Sequence, residues 1–117
     1  MARHVPLSEP VYQILLSLSD RARHGYAVIQ DVRDRTGGAV ELTASTLYGA
    51  LKRLRGDGLV REVERPPAEA DDDPRRRYYT LTGPGREVLR AEALRLRRAV
   101  DAAVRKGLVS SRGAGEG

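Results

Sequence analysis

Apolar residues recur at helical spacing in four separate stretches of this chain, with polar or glycine-rich breaks between them. Val11, Ile14, Leu15 and Leu18 stand at i, i+3, i+4 and i+7, one face of a helix. Ser8 before Glu9-Pro10 supplies an N-cap and a proline where a first turn tolerates one, so a first helix is predicted over residues 9–19. Asp20-Arg21-Ala22-Arg23 reads as a polar turn. His24-Gly25 then opens a second helix with Tyr26, Ile29 and Val32 on one face, Tyr26 in the core, and Gly37-Gly38 as terminator. Residues 39–42 read as short and extended. Thr43 caps a third helix whose Leu47, Ala50, Leu51 and Leu54 repeat the apolar stripe and which Gly58 ends after Asp57.

Beyond Gly58 the period changes. Residues 59–65 carry β-branched side chains among alternating charges, and Pro66-Pro67 with the run Asp71-Asp72-Asp73-Pro74 breaks the segment. Residues 75–81 read as a returning strand, with Tyr79 and Leu81 on one face and Tyr78 and Thr80 on the other. Three helices on short links followed by a hairpin make a helix-turn-helix with a wing. Thr82 caps a last helix through Gly83-Pro84, running from 84 to about 106. On it Leu89, Ala93, Leu96, Val100 and Ala103 alternate spacings of four and three, like the seam between packed helices. The predicted fold is mostly α with a small β-hairpin (α+β): a winged helix-turn-helix domain plus one long C-terminal helix.

Composition narrows what this fold can do. A chain of 117 residues fits one domain, or one domain with a dimerising appendage. It is 40% apolar but has no Phe, no Trp and five Tyr, so its core is built from Leu, Val, Ile and Ala. The absence of Cys removes disulfides, thiolate nucleophiles and thiolate metal sites. His4 and His24 are the only histidines and neither has a carboxylate at ligand spacing, so no metal and no cofactor are expected. His24 itself reads as a capping or packing residue. The only clustered acids are Asp71, Asp72 and Asp73 in a loop, and Gly83-Pro84-Gly85 is the wrong pattern for a phosphate-cradling loop, so an enzyme is not expected. No run of about 18 apolar residues exists, and Met1-Ala2-Arg3-His4 lacks the apolar core of a signal peptide. A bacterial cytoplasmic location is expected, on the nucleoid when bound to DNA, with no membrane partner. The net charge is +5 and the pI about 10.1, carried by Arg, with Lys only at Lys52 and Lys106. Arg pairs with phosphate and guanine edges through a planar fork, although a high Arg content also follows genome base content.

Four blocks, His24-Gly25-Tyr26, Thr46-Leu47-Tyr48-Gly49-Ala50-Leu51-Lys52-Arg53-Leu54, Gly58-Leu59-Val60 and Arg77-Tyr78-Tyr79-Thr80-Leu81-Thr82, stand in an order and spacing that resemble the PadR family of bacterial transcriptional regulators. The short final segment is similar to the branch with a single C-terminal helix. The resemblance implies a winged helix on double-stranded DNA, a homodimer made by the C-terminal helix, repression as the usual action, and in some members a response to small aromatic or drug-like molecules. Without Trp or Phe, the aromatic-lined effector pocket of those members is not carried over, and any small-molecule effector stays unidentified. The acidic wing tip, Asp71, Asp72 and Asp73, is a second departure.

In a helix-turn-helix the first turns of the third helix enter the major groove. Ala44, Ser45, Tyr48 and Gly49 lie off the apolar stripe there, and Thr43, Ser45 and Thr46 offer hydroxyls to phosphates or bases, or serve as a simple cap. Tyr48 is by the resemblance a DNA-backbone contact; burial against the wing is its competing role. Lys52 and Arg53, with Arg55 beyond them, extend the basic face toward phosphates. Arg75, Arg76 and Arg77 either meet flanking phosphates or the minor groove, or neutralise the adjacent acids. Because DNA repels an acidic tip, contact is expected from the base of the strand. The seam Leu89, Ala93, Leu96, Val100 and Ala103 is expected to pack on a second copy, the alternative being its own domain. Two copies place their third helices about 34–36 Å apart and read an inverted repeat. The expected function is a dimeric sequence-specific transcriptional repressor; a protein-binding winged helix and a regulator of another winged-helix family are the alternatives. Residues 1–82 are then the DNA-binding domain, 83–106 the dimerisation helix and 107–117 a disordered tail.

Overall fold

The computed structural model describes residues 5–111. Helix α1 (Glu9–Ser17) begins where Ser8 Oγ accepts the Val11 N–H, with Pro10 in the first turn. There follow β1 (Arg23–His24), α2 (Gly25–Arg35), α3 (Ala44–Gly56), β2 (Val60–Val63), β3 (Tyr78–Leu81) and α4 (Gly83–Arg105). The strands form one antiparallel sheet in the order β1-β3-β2, with Arg23 opposite Tyr79 and Val60 opposite Leu81. The architecture is the predicted α+β winged helix-turn-helix with a long last helix.

The apolar stripes meet in one core. Ile14, Leu15 and Leu18 come from α1 and its cap, Val28 and Val32 from α2, Leu47, Ala50, Leu51 and Leu54 from α3, Leu81 from β3 and Val88 from α4. Burying a Leu or Val side chain is worth about 1.5–3 kcal/mol. Three leucines and Ala50 on α3 fix that helix by one face and leave the other to solvent.

The structure departs from the predicted pattern in several places. Tyr26 is not in the core: α2 buries Gly25, Val28 and Val32, which turns Tyr26 about 100° away, and it is 55% exposed. Strand β1 was not expected, because two polar residues carry no alternation; it forms against the open edge of β3. The returning strand starts at Tyr78 rather than at 75. Asp73 Oδ1 accepts the Arg75 N–H at 2.9 Å and the Asp73 carbonyl accepts the Arg76 N–H at 3.1 Å, a turn that takes residues 75–77 out of the sheet. Residues 39–42 form no strand, though Leu42 is buried.

Helix α4 also differs in its use of the seam. Leu89 lies in the chain's own core, the alternative packing that the pattern left open. From Ala93 onward no described residue of α4 is buried; Ala93 and Val100 are exposed, while Leu96 and Ala103 are partly covered. Where α4 passes the N-terminal arm, Glu92 is only 1% exposed. Its carboxylate accepts the Leu7 N–H at 3.0 Å and two bonds from Arg95 at 2.6 and 2.9 Å, and the Arg95 bonds hold it below the usual carboxylate range. The helix cap takes in Gly107 and Leu108, whose N–H bonds to the Ala103 carbonyl at 3.0 Å. The predicted tail from 112 onward, and His4, lie outside the described residues.

Three elements are joined at one carbonyl. Gly58 ends α3 with φ +75°, and the Leu59 N–H returns to the Leu54 carbonyl at 2.9 Å. The Leu59 carbonyl then accepts the Thr82 N–H at 3.1 Å, while Thr82 Oγ1 donates to the Gly58 carbonyl at 2.6 Å and accepts the Gly85 N–H at 3.0 Å. Gly85 packs so close that a Cβ there would come within 2.9 Å of the Leu59 carbonyl carbon and nearer still to its oxygen. Gly85→Ala is therefore expected to lower stability by about 1–3 kcal/mol or more. Gly83→Ala, with open space around it, should cause no loss. Urea unfolding midpoints check the pair; equal midpoints would refute the close approach.

Candidate nucleic-acid interface

The free face of α3 begins at its cap. Thr43 Oγ1 accepts the Thr46 N–H at 3.0 Å and donates to Thr46 Oγ1 at 3.0 Å, so the capping role of Thr43 is realised and Thr46 keeps its own hydroxyl hydrogen for another acceptor. Ser45, Tyr48, Lys52, Arg53 and Arg55 are exposed along the following turns. Among the described residues, Lys52 and Arg53 have no carboxylate partner, whereas Arg55 lies 3.8 Å from Glu62.

Tyr48 lies over Gly25 at the start of α2. A Cβ at Gly25 would come within 2.7 Å of Tyr48 Cζ, so the missing side chain is what seats the ring. Tyr48 is 49% exposed and packs on α2 rather than disappearing under the wing. Its open side faces a cleft of about 470 Å³ lined by His24, Gly25, Tyr26, Tyr79, Asp73 and the three wing arginines. A second depression, about 460 Å³, shares Tyr48, Arg77 and Tyr79 with the first and continues to Leu51, Lys52 and Arg55. The two make one trough bordered by α3 and the wing loop.

All three wing arginines have carboxylate partners: Arg75 with Asp73 at 3.0 Å, Arg76 with Asp72 at 2.9 Å, Arg77 with Glu62 at 3.2 Å. Local neutralisation is thus part of their role. All three remain exposed, the Arg75 side chain at 89%, and ion pairs as open to water as that of Arg75 are weak. The acidic run is not a uniform repelling tip. Asp71 is exposed, but the Asp72 side chain turns inward. Asp72 accepts bonds from the Tyr78 hydroxyl and from Arg76, which hold it below the usual carboxylate range. Burial and the same hydroxyl bond push the Tyr78 phenol up to about 12. Arg65 closes the loop by donating to the carbonyls of Glu69, Asp72 and Asp73, with its guanidinium 5.7 Å from the Tyr78 ring centre.

His24 connects this loop to α2. Its Nδ1 accepts the Ala27 N–H at 3.1 Å as the N-cap of α2, and its ring meets Tyr78 edge-on at 5.4 Å. Gly25, Arg65 and Asp72 were not marked as functional by the sequence. The adjacency His24-Gly25 was visible, but its use depends on Tyr48, which only the fold brings near. Among the described residues no group of three or more His, Asp or Glu is placed to hold a metal ion, and no helix is long and apolar enough to cross a membrane.

Comparison with known proteins follows the same lines. A model of the "Transcriptional regulator PadR-like family" matches residues 14–91. Over 80 residues the chain is 38% identical to an uncharacterized 37.1 kDa protein in transposon TN4556 of Streptomyces fradiae, covering 68% of this chain and 21% of that protein. The chain therefore spans about a fifth of that relative. The crystal structure of a PadR family transcription regulator from Clostridium difficile R20291 has a TM-score of 0.69 at 26% identity, covering 86% of this chain and 99% of that one. Bacillus subtilis PadR in complex with operator DNA has a TM-score of 0.58 at 24% identity, covering 74% and 47%, a likeness of fold.

The His24 cap carries a pH prediction. Burial, then the nearby Arg76, lower the His24 pKa from 6.5, against a smaller upward pull from Asp72. The unfolded chain thus binds a proton more readily than the folded one, so stability present above 6.5 is lost as pH falls through the folded value. Chemical denaturation between about pH 7 and about pH 5.5 should show this decline. His24→Asn, which caps without titrating, should flatten it; the same slope in both proteins would remove His24 as its source.

Proposed function

The chain belongs to the PadR-like family of transcriptional regulators, and from that premise we propose that it is a DNA-binding repressor that holds an inverted-repeat operator as a homodimer. The observation that carries this reading is the free face of α3. The core takes Leu47, Ala50, Leu51 and Leu54, which turns Ser45, Thr46, Tyr48, Lys52 and Arg53 outward beside the wing trough. The N-terminal turns of α3 enter the major groove, where Ser45 and Thr46 reach bases or phosphates with help from the helix dipole. Tyr48, Lys52 and Arg53 meet the backbone, Arg75 and Arg77 exchange their carboxylates for flanking phosphates, and Arg76 meets a phosphate with the N–H groups that Asp72 leaves free. The protein acts by occupying DNA and not by catalysis, on the nucleoid of a bacterial cytoplasm. B. subtilis PadR, of the same fold, is known in complex with operator DNA.

The second half of α4 supplies the dimer. Ala93, Leu96, Val100 and Ala103 continue the seam outward once Leu89 is spent on the core, and Val100 is 54% exposed. An apolar helix face of this length is covered by a second copy in the manner of paired helices. The two-fold that results sets two α3 helices on successive major grooves, about 34–36 Å apart.

Two measurements test these halves separately. Fluorescence anisotropy with a duplex selected from a random pool should show log affinity falling linearly with log salt. Lys52→Ala should flatten that line by about 0.9, one phosphate contact, and Tyr48→Ala should weaken binding severalfold with the fold intact; unchanged affinity in both variants would rule out this interface. Sedimentation should find a dimer that Val100→Glu converts to monomer with loss of operator affinity. A wild-type monomer at micromolar concentration would contradict the α4 assignment.

A further inference from the structure

We infer that Asp72, an acidic residue on the DNA-facing wing, strengthens DNA binding by acting as the positioning residue for Arg76. The inference rests on the DNA-binding reading above.

Three donors converge on this carboxylate. The Tyr78 hydroxyl donates to Oδ2, Arg76 Nη1 donates to Oδ1 at 2.9 Å, and His24 Nε2 lies 3.7 Å from Oδ2. His24 Nδ1 is committed as acceptor of the Ala27 N–H, so the neutral ring carries its hydrogen on Nε2. Arg76 Nη1 lies only 3.1 Å from that same Nε2. Two N–H donors do not bond each other at this distance; the adjacent anion, bonded to one and faced by the other, reconciles them. Without the charge, only the Tyr26 ring remains to hold Arg76 against the His24 N–H.

The post that holds Arg76 is itself fixed. Tyr78 is buried in the central strand with its hydroxyl turned to Asp72, and Arg65 clamps the Asp72 and Asp73 carbonyls. From this post Arg76 lies over the Tyr26 ring, 5.8 Å from its centre, and lines the cleft beside Tyr48. An arginine held there presents its remaining N–H groups to a phosphate in the trough. Released, it regains rotamer freedom that DNA binding must then freeze out.

Long-range electrostatics alone predicts the opposite sign, because removing a negative charge near phosphates tightens binding. The test exploits that contrast, using the full chain, a duplex selected from a random pool and anisotropy titrations across salt. Asp72→Asn is expected to weaken binding roughly five- to tenfold and to flatten the salt line by about 0.9 as the Arg76 contact is lost. Asp71→Asn, the same charge change one residue away on an exposed side chain, should bind as tightly as wild type or tighter. Adding Arg76→Ala to Asp72→Asn should cost little more, since both remove one contact. Tyr78→Phe, which deletes one bond to the carboxylate without changing net charge, should weaken binding in the same direction; it decides the matter if Asp72→Asn folds poorly. Asp72→Asn binding as well as wild type, or losses at Asp72 and Arg76 that simply add, would overturn the inference while leaving the DNA-binding reading intact. A wild type that binds no selected duplex removes both.

Discussion

The carbonyl of Leu59 receives the Thr82 N–H and lies against Gly85, while Thr82 bonds back to Gly58 and caps α4. At this one point the exit of α3, the base of the wing and the start of α4 are locked together. The lock matters because the three surfaces that the proposed function uses lie on different elements. The free face of α3, the trough beside the wing and the apolar face of α4 keep a fixed relation only if these elements do not move against one another. A side chain at position 85 has no room, so the constraint is steric as well as hydrogen-bonded.

Much of this was legible in the sequence, for a physical reason. Leu47, Ala50, Leu51 and Leu54 announce both a helix and its buried face, and the caps Ser8, Thr43 and Thr82 all act as N-caps in the fold. What could not be read depended on neighbours distant in the chain. Arg23-His24 becomes a strand only because β3 offers an edge. Tyr26 leaves the core because Gly25, a residue with no apolar signal, takes the buried position under Tyr48. Leu89 looked like the first residue of an intermolecular seam, but α4 is still passing its own domain there.

The wing shows how a charge pattern can mislead when it is read along the chain. Three consecutive aspartates suggest a surface that DNA avoids, and three consecutive arginines suggest one that it seeks. In the folded loop Asp72 turns toward Tyr78 and Arg76, Asp73 closes a turn with Arg75, and Arg77 crosses to Glu62. The acids become the framework on which the basic side chains are arranged, and Asp71 alone keeps the exposed position that the sequence suggested for all three. His24 ties that framework to the cap of α2, so the wing loop and the Tyr48 seat are parts of one structure.

If α3 and the wing form one DNA-reading surface and α4 pairs two of them, the bound DNA must carry the imprint of both. Hydroxyl-radical footprinting on a duplex selected from a random pool measures this directly. Two symmetric protected regions about one helical turn apart, centred on an inverted repeat, are the predicted result. A single protected region, or protection spread evenly without an enriched sequence, would contradict the paired reading surface.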